Sequence, residues 1–282
     1  MKVSNLLYIT AFFTGAAGLI YEIIWDRYLL LILGSTTLSA TEILASFIGG
    51  LALGSFAFVK FSRKIKRPLI IYCGLEIIIA VYALVYSMSL KYFTQGALLT
   101  FPKGIIDIFQ VLSYLSLLLP TFAMGASFPL LVAAQKNIAG KSLKTPGFFY
   151  GSDTLGATIG SLLTGFVLIP SFGMEFSLWI GISLTMLSAV IILLIELNKK
   201  VTLQLIIKKT NNKLWDTTTF KIFPLILIIS GISSLGLELV WTRILVLIFG
   251  SSTYAFTITV SVFVLGTALG SLLIIRILPT LR

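Results

Sequence analysis

Residues 15–55 read GAAGLIYEIIWDRYLLLILGSTTLSATEILASFIGGLALGS, and residues 231–271 read GISSLGLELVWTRILVLIFGSSTYAFTITVSVFVLGTALGS. The second stretch repeats the first at a constant offset of 216, since 238 − 22 = 216 and 271 − 55 = 216. The identities include Glu22/Glu238, Trp25/Trp241, Arg27/Arg243, Gly34/Gly250, Ser35/Ser251, Thr37/Thr253, Phe47/Phe263, Gly50/Gly266 and the Ala-Leu-Gly-Ser runs ending at Ser55 and Ser271. Apolar helices match one another by chance at leucines. They do not match by chance at glutamate, tryptophan, arginine and paired glycines.

Around this repeat the chain is apolar throughout. Of its 282 residues 57% are hydrophobic and 11% charged, and the mean hydropathy is +1.05. A soluble domain carries about 25% charged residues, so a water-facing surface cannot be built from this composition. A helix needs about 20 apolar residues to cross the hydrocarbon of a bilayer, and eight stretches qualify: 5–33, 38–60, 69–92, 104–134, 148–170, 174–197, 222–249 and 253–278. Helix is preferred to strand because the runs are long and do not alternate, and a spanning backbone must satisfy its own hydrogen bonds. The first stretch is too long for the apolar core of a cleavable leader, and its flanking sequence recurs later in the chain.

The charges orient the spans. Lysine and arginine number 21 against 10 acids, and the excess lies between apolar runs, a pattern of membrane topology rather than of nucleic-acid binding. Lys60, Arg63, Lys64, Lys66 and Arg67 follow the second stretch; Lys136, Lys141 and Lys144 follow the fourth; Lys199, Lys200, Lys208, Lys209, Lys213 and Lys221 follow the sixth. The connections Gly34–Thr41, Ser171–Glu175 and Gly250–Ser252 carry no positive charge, and only Lys91 and Lys103 blur the alternation. Positive residues stay inside, which places the N-terminus and the even connections in the cytoplasm of a cell-membrane protein.

The reading that follows is an all-α, polytopic transmembrane bundle. Residues 1–197 form a first six-span half, 198–221 a cytoplasmic linker and 222–282 the start of a second repeat. An even number of spans separates the two copies, so they enter the membrane in the same direction, as in the parallel halves of major-facilitator transporters. On that reading the second half stops two spans into six, and the chain is either a piece of a longer one or is completed by a partner chain.

Several chemistries are excluded by composition. There is no histidine and only one cysteine, Cys73, which removes Ser-His-Asp triads, histidine-based proton transfer, cysteine-cluster metal sites and intrachain disulfides. No metal site or cofactor is expected, and no nucleic-acid partner. What stands out is charge inside the apolar runs, where each charged residue costs about 2.5–3.5 kcal/mol on insertion scales and so needs a partner or a wet cavity. Glu22 lies about 26 Å into the first span, with Glu238 at matching depth in the seventh. Glu76, beside Cys73, sits deep in the third, and Asp153 begins the fifth. Glu22 and Glu238 would offer paired anionic sites if both face a central cavity, and a small cation or polyamine suits such a site. The alternative is that each glutamate is neutralised by an arginine. Glu22 and Arg27 are five residues apart on one helix, about 140° around the axis, so pairing within the motif is poor. Trp25, Arg27, Trp241 and Arg243 lie nearer the outer end, where the simplest role is interfacial anchoring. Asp153 has a simpler role open to it as a helix cap at the cytoplasmic interface. Ser152, Gly156, Gly160 and Thr164, like Gly50/Gly54 and Gly266/Gly270, are spaced for close helix packing, and Pro120 and Pro129 are expected to kink the fourth span.

The stretch GLIYEIIWDRYLLLILGSTTLSATEILASFIGGLALGS (18–55), with PTFAMGASFPLLVAA (120–134) and GFFYGSDTLGATIGSLLTGFVLIPSFGM (147–174), resembles the membrane region of bacterial and archaeal spermidine-synthase-like proteins, the major-facilitator/spermidine synthase fusions. The resemblance covers nearly the whole chain. It implies a major-facilitator-like bundle and an aminopropyltransferase domain of Rossmann type elsewhere in the protein. No glycine-rich loop after a strand occurs within these 282 residues, so the family's catalytic residues have no positions here. Three functions stay open: a membrane module that binds or moves polyamines or small cations or anchors an aminopropyltransferase, the N-terminal part of a membrane-bound spermidine synthase, and a scaffold for a partner chain.

The charge pattern generates a topological prediction. Reporter domains fused after Lys66, Lys141 or Leu205 are expected to fold in the cytoplasm, and one fused after Ser171 outside it. A reporter that requires export should be active only at Ser171.

Overall fold

The computed structural model describes residues 3–33, 36–62, 65–94, 103–139, 145–198, 217–250 and 252–277. Gly34, Ser35, Arg63, Lys64, Lys141, Lys144, Ser251 and the linker residues 199–216 lie outside them. The described residues are helical almost throughout: α1 (Val3–Leu33), α2 (Thr36–Ser62), α3 (Pro68–Tyr92), α4 (Lys103–Ala139), α5 (Thr145–Leu163), a π-helical turn (Thr164–Leu168), α6 (Ile169–Leu197), α7 (Thr217–Phe249) and α8 (Ser252–Ile277). These segments are apolar around most of their circumference, which suits a helix bounded by other helices on one side and lipid on the other. Val81, Val85 and Met88 on α3 illustrate the outward face, each more than half exposed.

Among the described residues seven helices, rather than the eight spans expected, are long and apolar enough to cross a membrane. Residues 145–197 account for the difference, because they form one helical run of 53 residues where two separate spans were anticipated. No polar connection interrupts the sequence there. The run passes through the π turn and is broken only at Gly173, whose φ of 83° and ψ of 172° leave the helical region. A positive φ of this size is cheap only for glycine. The two ends of the run meet α1 in opposite senses. Along α5, Ser152, Gly156 and Gly160 approach Tyr8, Phe12 and Ala16 in turn. Along α6 the order reverses, with Gly181 against Ile20 and Tyr21 and Ser188 against Thr10.

Helix α1 is the centre of the bundle, in contact with α2, α3, α5 and α6. Its inward residues Tyr21, Ile24, Trp25 and Leu29 anchor one apolar cluster, and Leu7 and Ala11 join Tyr72, Leu130, Phe149 and Ile192 in another. Without a hydrophobic force between helices in lipid, tight packing depends on small residues that let backbones approach. A methyl group at Gly156 would lie 1.9 Å from the Phe12 carbonyl oxygen, and one at Gly54 would lie 2.0 Å from that of Phe122. Helix α2 lies along α4 through Gly50, Gly54 and Gly125, with Ser55 Oγ donating to the Gly125 carbonyl at 2.9 Å. Pro120 and Pro129 sit inside α4, which runs unbroken from Lys103 to Ala139. Lys91, which blurred the charge alternation, pairs with Glu175 at the adjoining ends of α3 and α6. An exposed pair of this kind contributes little stability.

The two copies of the repeat are packed differently. In the first copy Gly50 and Gly54 are pressed against α4, whereas a methyl group at Gly266 or Gly270 would meet nothing within 4 Å. Likewise 61% of the most apolar window of α1 is buried but only 11% of that of α7.

Gly156→Ala is expected to lower stability by about 1–3 kcal/mol through overpacking against Phe12. Gly74→Ala, where the new methyl meets nothing within 4 Å, should be neutral or stabilise by up to about 1 kcal/mol through helix propensity. Unfolding of the purified protein in detergent distinguishes the two.

Candidate functional site

The acids singled out in the sequence fall into two groups. The first borders a cavity of about 450 Å³ enclosed by α1, α2, α4 and α5, within the usual range for small-molecule sites. Asp153 lies on its wall together with Thr14, Ser55, Ser127 and Tyr150, while Phe47, Leu51 and Met124 supply apolar surface. Asp153 is not a helix cap, as α5 begins at Thr145, two turns earlier. It is held where it is by the contact of α5 with Gly15, at which a methyl group would come within 2.0 Å of the Asp153 carbonyl oxygen. Only a glycine on α1 lets this part of α5 come so near.

Glu76 stands behind the same wall. It is fully buried, on the face of α3 that looks between α1 and α4. Thr14 Oγ1 and Ser127 Oγ, both cavity-lining, approach Glu76 Oε1 at 3.5 and 3.4 Å. Tyr72 OH lies 2.6 Å from Thr14 Oγ1. Glu76 and Asp153 are near enough for their charges to interact. Neither forms a salt bridge with a described residue.

The second group lies away from the cavity, where α1 comes near α7. Glu22, Asp26 and Glu238 are all buried, and the charge on Glu22 interacts with those on Glu238 and Asp26. The repeat-related glutamates are thus neighbours, and Asp26, which the repeat does not require, joins them. None of the three lines the cavity, so the four acids first considered together belong to two separate places. Among the described residues no cluster of three or more His, Cys, Asp or Glu side chains is arranged to hold a metal ion.

The tryptophans part company too. Trp25 is not an interfacial anchor: it is fully buried, stacks on Tyr21 with ring centroids 5.5 Å apart, and donates from Nε1 to Ser87 Oγ at 3.0 Å. Its position in the sequence pointed outward, but helices α2 and α3 close over it. Trp241 remains 49% exposed. Arg27 is partly buried and Arg243 exposed.

Thr14, Tyr72 and Ser127 were not anticipated. A hydroxyl in an apolar helix is common, and nothing in the spacing of these three reveals that they converge on Glu76. No protein-family profile, curated protein or solved structure matches the chain.

Trp25→Phe should cost about 1 kcal/mol for the lost hydrogen bond and Trp25→Ala about 3–5 kcal/mol. Trp241→Ala should cost under about 1 kcal/mol. Unfolding midpoints of the three variants give the comparison.

Proposed function

We propose that this chain is a membrane module that binds, and moves across the bilayer, a small organic cation of the amine or polyamine class. The observation that carries the reading is the cavity beside Asp153 and Glu76: two acids within apolar helices, without a described lysine or arginine bridging either. Buried charge of one sign requires compensation, and a cavity open to a ligand offers it. An alkyl chain suits the surface of Phe47, Leu51 and Met124, and an ammonium group suits Asp153. The resemblance to spermidine-synthase-like membrane regions favours a polyamine and a major-facilitator-like arrangement, with an aminopropyltransferase held at the cytoplasmic face. The opposite directions of α5 and α6 along α1 support two crossings within residues 145–197, hence eight in all.

The bare second copy favours one further role, assembly with another transmembrane segment. Gly50 and Gly54 receive α4, and the matching Gly266 and Gly270 face open space. We infer that they receive a helix like α4, presenting a small residue as Gly125 does. Leucine at Gly266 should then abolish association with that segment while leaving the described bundle intact, which crosslinking from a cysteine at Thr267 would report.

Labelled polyamine flux into vesicles tests the main reading. Asp153→Asn is expected to weaken uptake at least about tenfold, the effect of losing one charged hydrogen-bonding partner. Glu22→Gln and Glu238→Gln, away from the cavity, should affect it less. Equal flux in wild type, Asp153→Asn and Glu76→Gln removes the transport reading.

A further inference from the structure

Two of the hydroxyls around Glu76 have shorter partners in their own helix backbones. Thr14 Oγ1 lies 3.0 Å from the Thr10 carbonyl and Ser127 Oγ 3.1 Å from that of Ala123, both shorter than their approaches to Glu76. A hydroxyl has one proton, and in each case the backbone carbonyl offers it the shorter bond. Tyr72 OH lies 2.6 Å from Thr14 Oγ1, where either hydroxyl can be the donor, and it is a hydrogen-bond partner of Glu76 as well. Thr14 and Ser127 therefore each offer Glu76 Oε1 only a long, shared hydrogen bond. Its second oxygen, Oε2, is buried and has no hydrogen-bond partner among the described residues.

A carboxylate so placed has one oxygen unbonded and no described salt-bridge partner. Oxygens coordinated to a cation of calcium's size stand about 2.4 Å from it, and sodium is close to calcium in radius. Adjacent vertices of an octahedron are then √2 times farther apart, about 3.4 Å. The Glu76–Ser127 and Glu76–Thr14 separations of 3.4 and 3.5 Å fit that edge and exceed the roughly 2.7–2.8 Å of an O–H···O bond.

The geometry points to a binding site for a dehydrated sodium ion formed by the Glu76 carboxylate, Thr14 Oγ1 and Ser127 Oγ. One carboxylate in direct reach balances one positive charge, and an all-oxygen set selects a hard cation. Asp153, facing from α5, adds attraction, while Tyr72 and Cys73 on α3 and Tyr21 on α1 bring no positive charge. Thr14 and Ser127 line the amine cavity on their other side, so ion and amine share two wall residues. This extends the cation-handling reading above by giving it a coupling ion, and it rests on that reading for its role in transport, though not for binding itself.

The test uses the purified full chain in detergent, its unfolding midpoint followed in sodium, potassium or choline chloride at equal ionic strength, with equilibrium binding of radioactive sodium alongside. Sodium alone should raise the midpoint. Its affinity should fall at least about tenfold in Glu76→Gln, Ser127→Ala and Thr14→Val, and by less in Asp153→Asn, which removes attraction but no ligand. If Glu76→Gln does not fold, the two hydroxyl variants decide. Absence of sodium binding, an equal response to potassium, or unaltered affinity in Ser127→Ala and Thr14→Val overturns the site and leaves the amine reading of Asp153 standing. Sodium binding with no polyamine flux keeps the site and removes that reading.

Discussion

The close approach of α5 to α1 is the contact on which the interior of this protein depends. Three glycines, Gly15, Gly156 and Gly160, bring the two backbones to distances that a single methyl group would forbid. In lipid, where burying leucine against leucine gains little over leucine against acyl chain, such contacts are what hold helices together. The same contact sets the chemistry. Asp153 reaches the cavity because its own backbone rests on Gly15, and Thr14 is placed between that cavity and Glu76.

Placing acids in such an interior carries a cost that has to be met locally. Glu22, Asp26 and Glu238 share one place and Glu76 and Asp153 another, and in each the like charges are near enough to interact. A sodium ion beside Glu76 and an amine beside Asp153 would relieve the second group, with Thr14 and Ser127 common to both. The hydroxyls also satisfy the helix backbone, so without an ion only the Glu76 carboxylate is left with an unmet group. The repeat shows how strongly such features depend on surroundings. Trp25 and Trp241 occupy equivalent positions, yet one is sealed against Tyr21 and Ser87 and the other is half exposed.

Much of the architecture was legible in the residues. Apolar runs of membrane length, the glycine spacings in α2 and α5, and the depth of Glu22, Glu76 and Glu238 can be read directly, because helical rise and hydrophobicity depend on local sequence. The sequence divided residues 145–197 into two spans, but it did not show that the helix continues across their boundary, broken only by a single glycine with positive φ. Trp25 was misplaced for a related reason: depth along a helix says nothing about whether neighbouring helices cover that turn. Asp153 was taken as a possible cap because the start of α5 at Thr145 lies among residues with no strong boundary signal.

Composition and periodicity by themselves determined that this chain is helical and belongs in a bilayer, that its two ends carry copies of one motif, and that a few acids lie where lipid would not tolerate them. Tertiary structure alone decided which acids meet, that Thr14, Tyr72 and Ser127 gather around Glu76, and that one copy of the motif is enclosed while the other is bare. The division has a simple origin. Burial in a membrane is a property of each helix taken singly, whereas a site is made by side chains from helices far apart in sequence, and their meeting depends on contacts no single segment encodes.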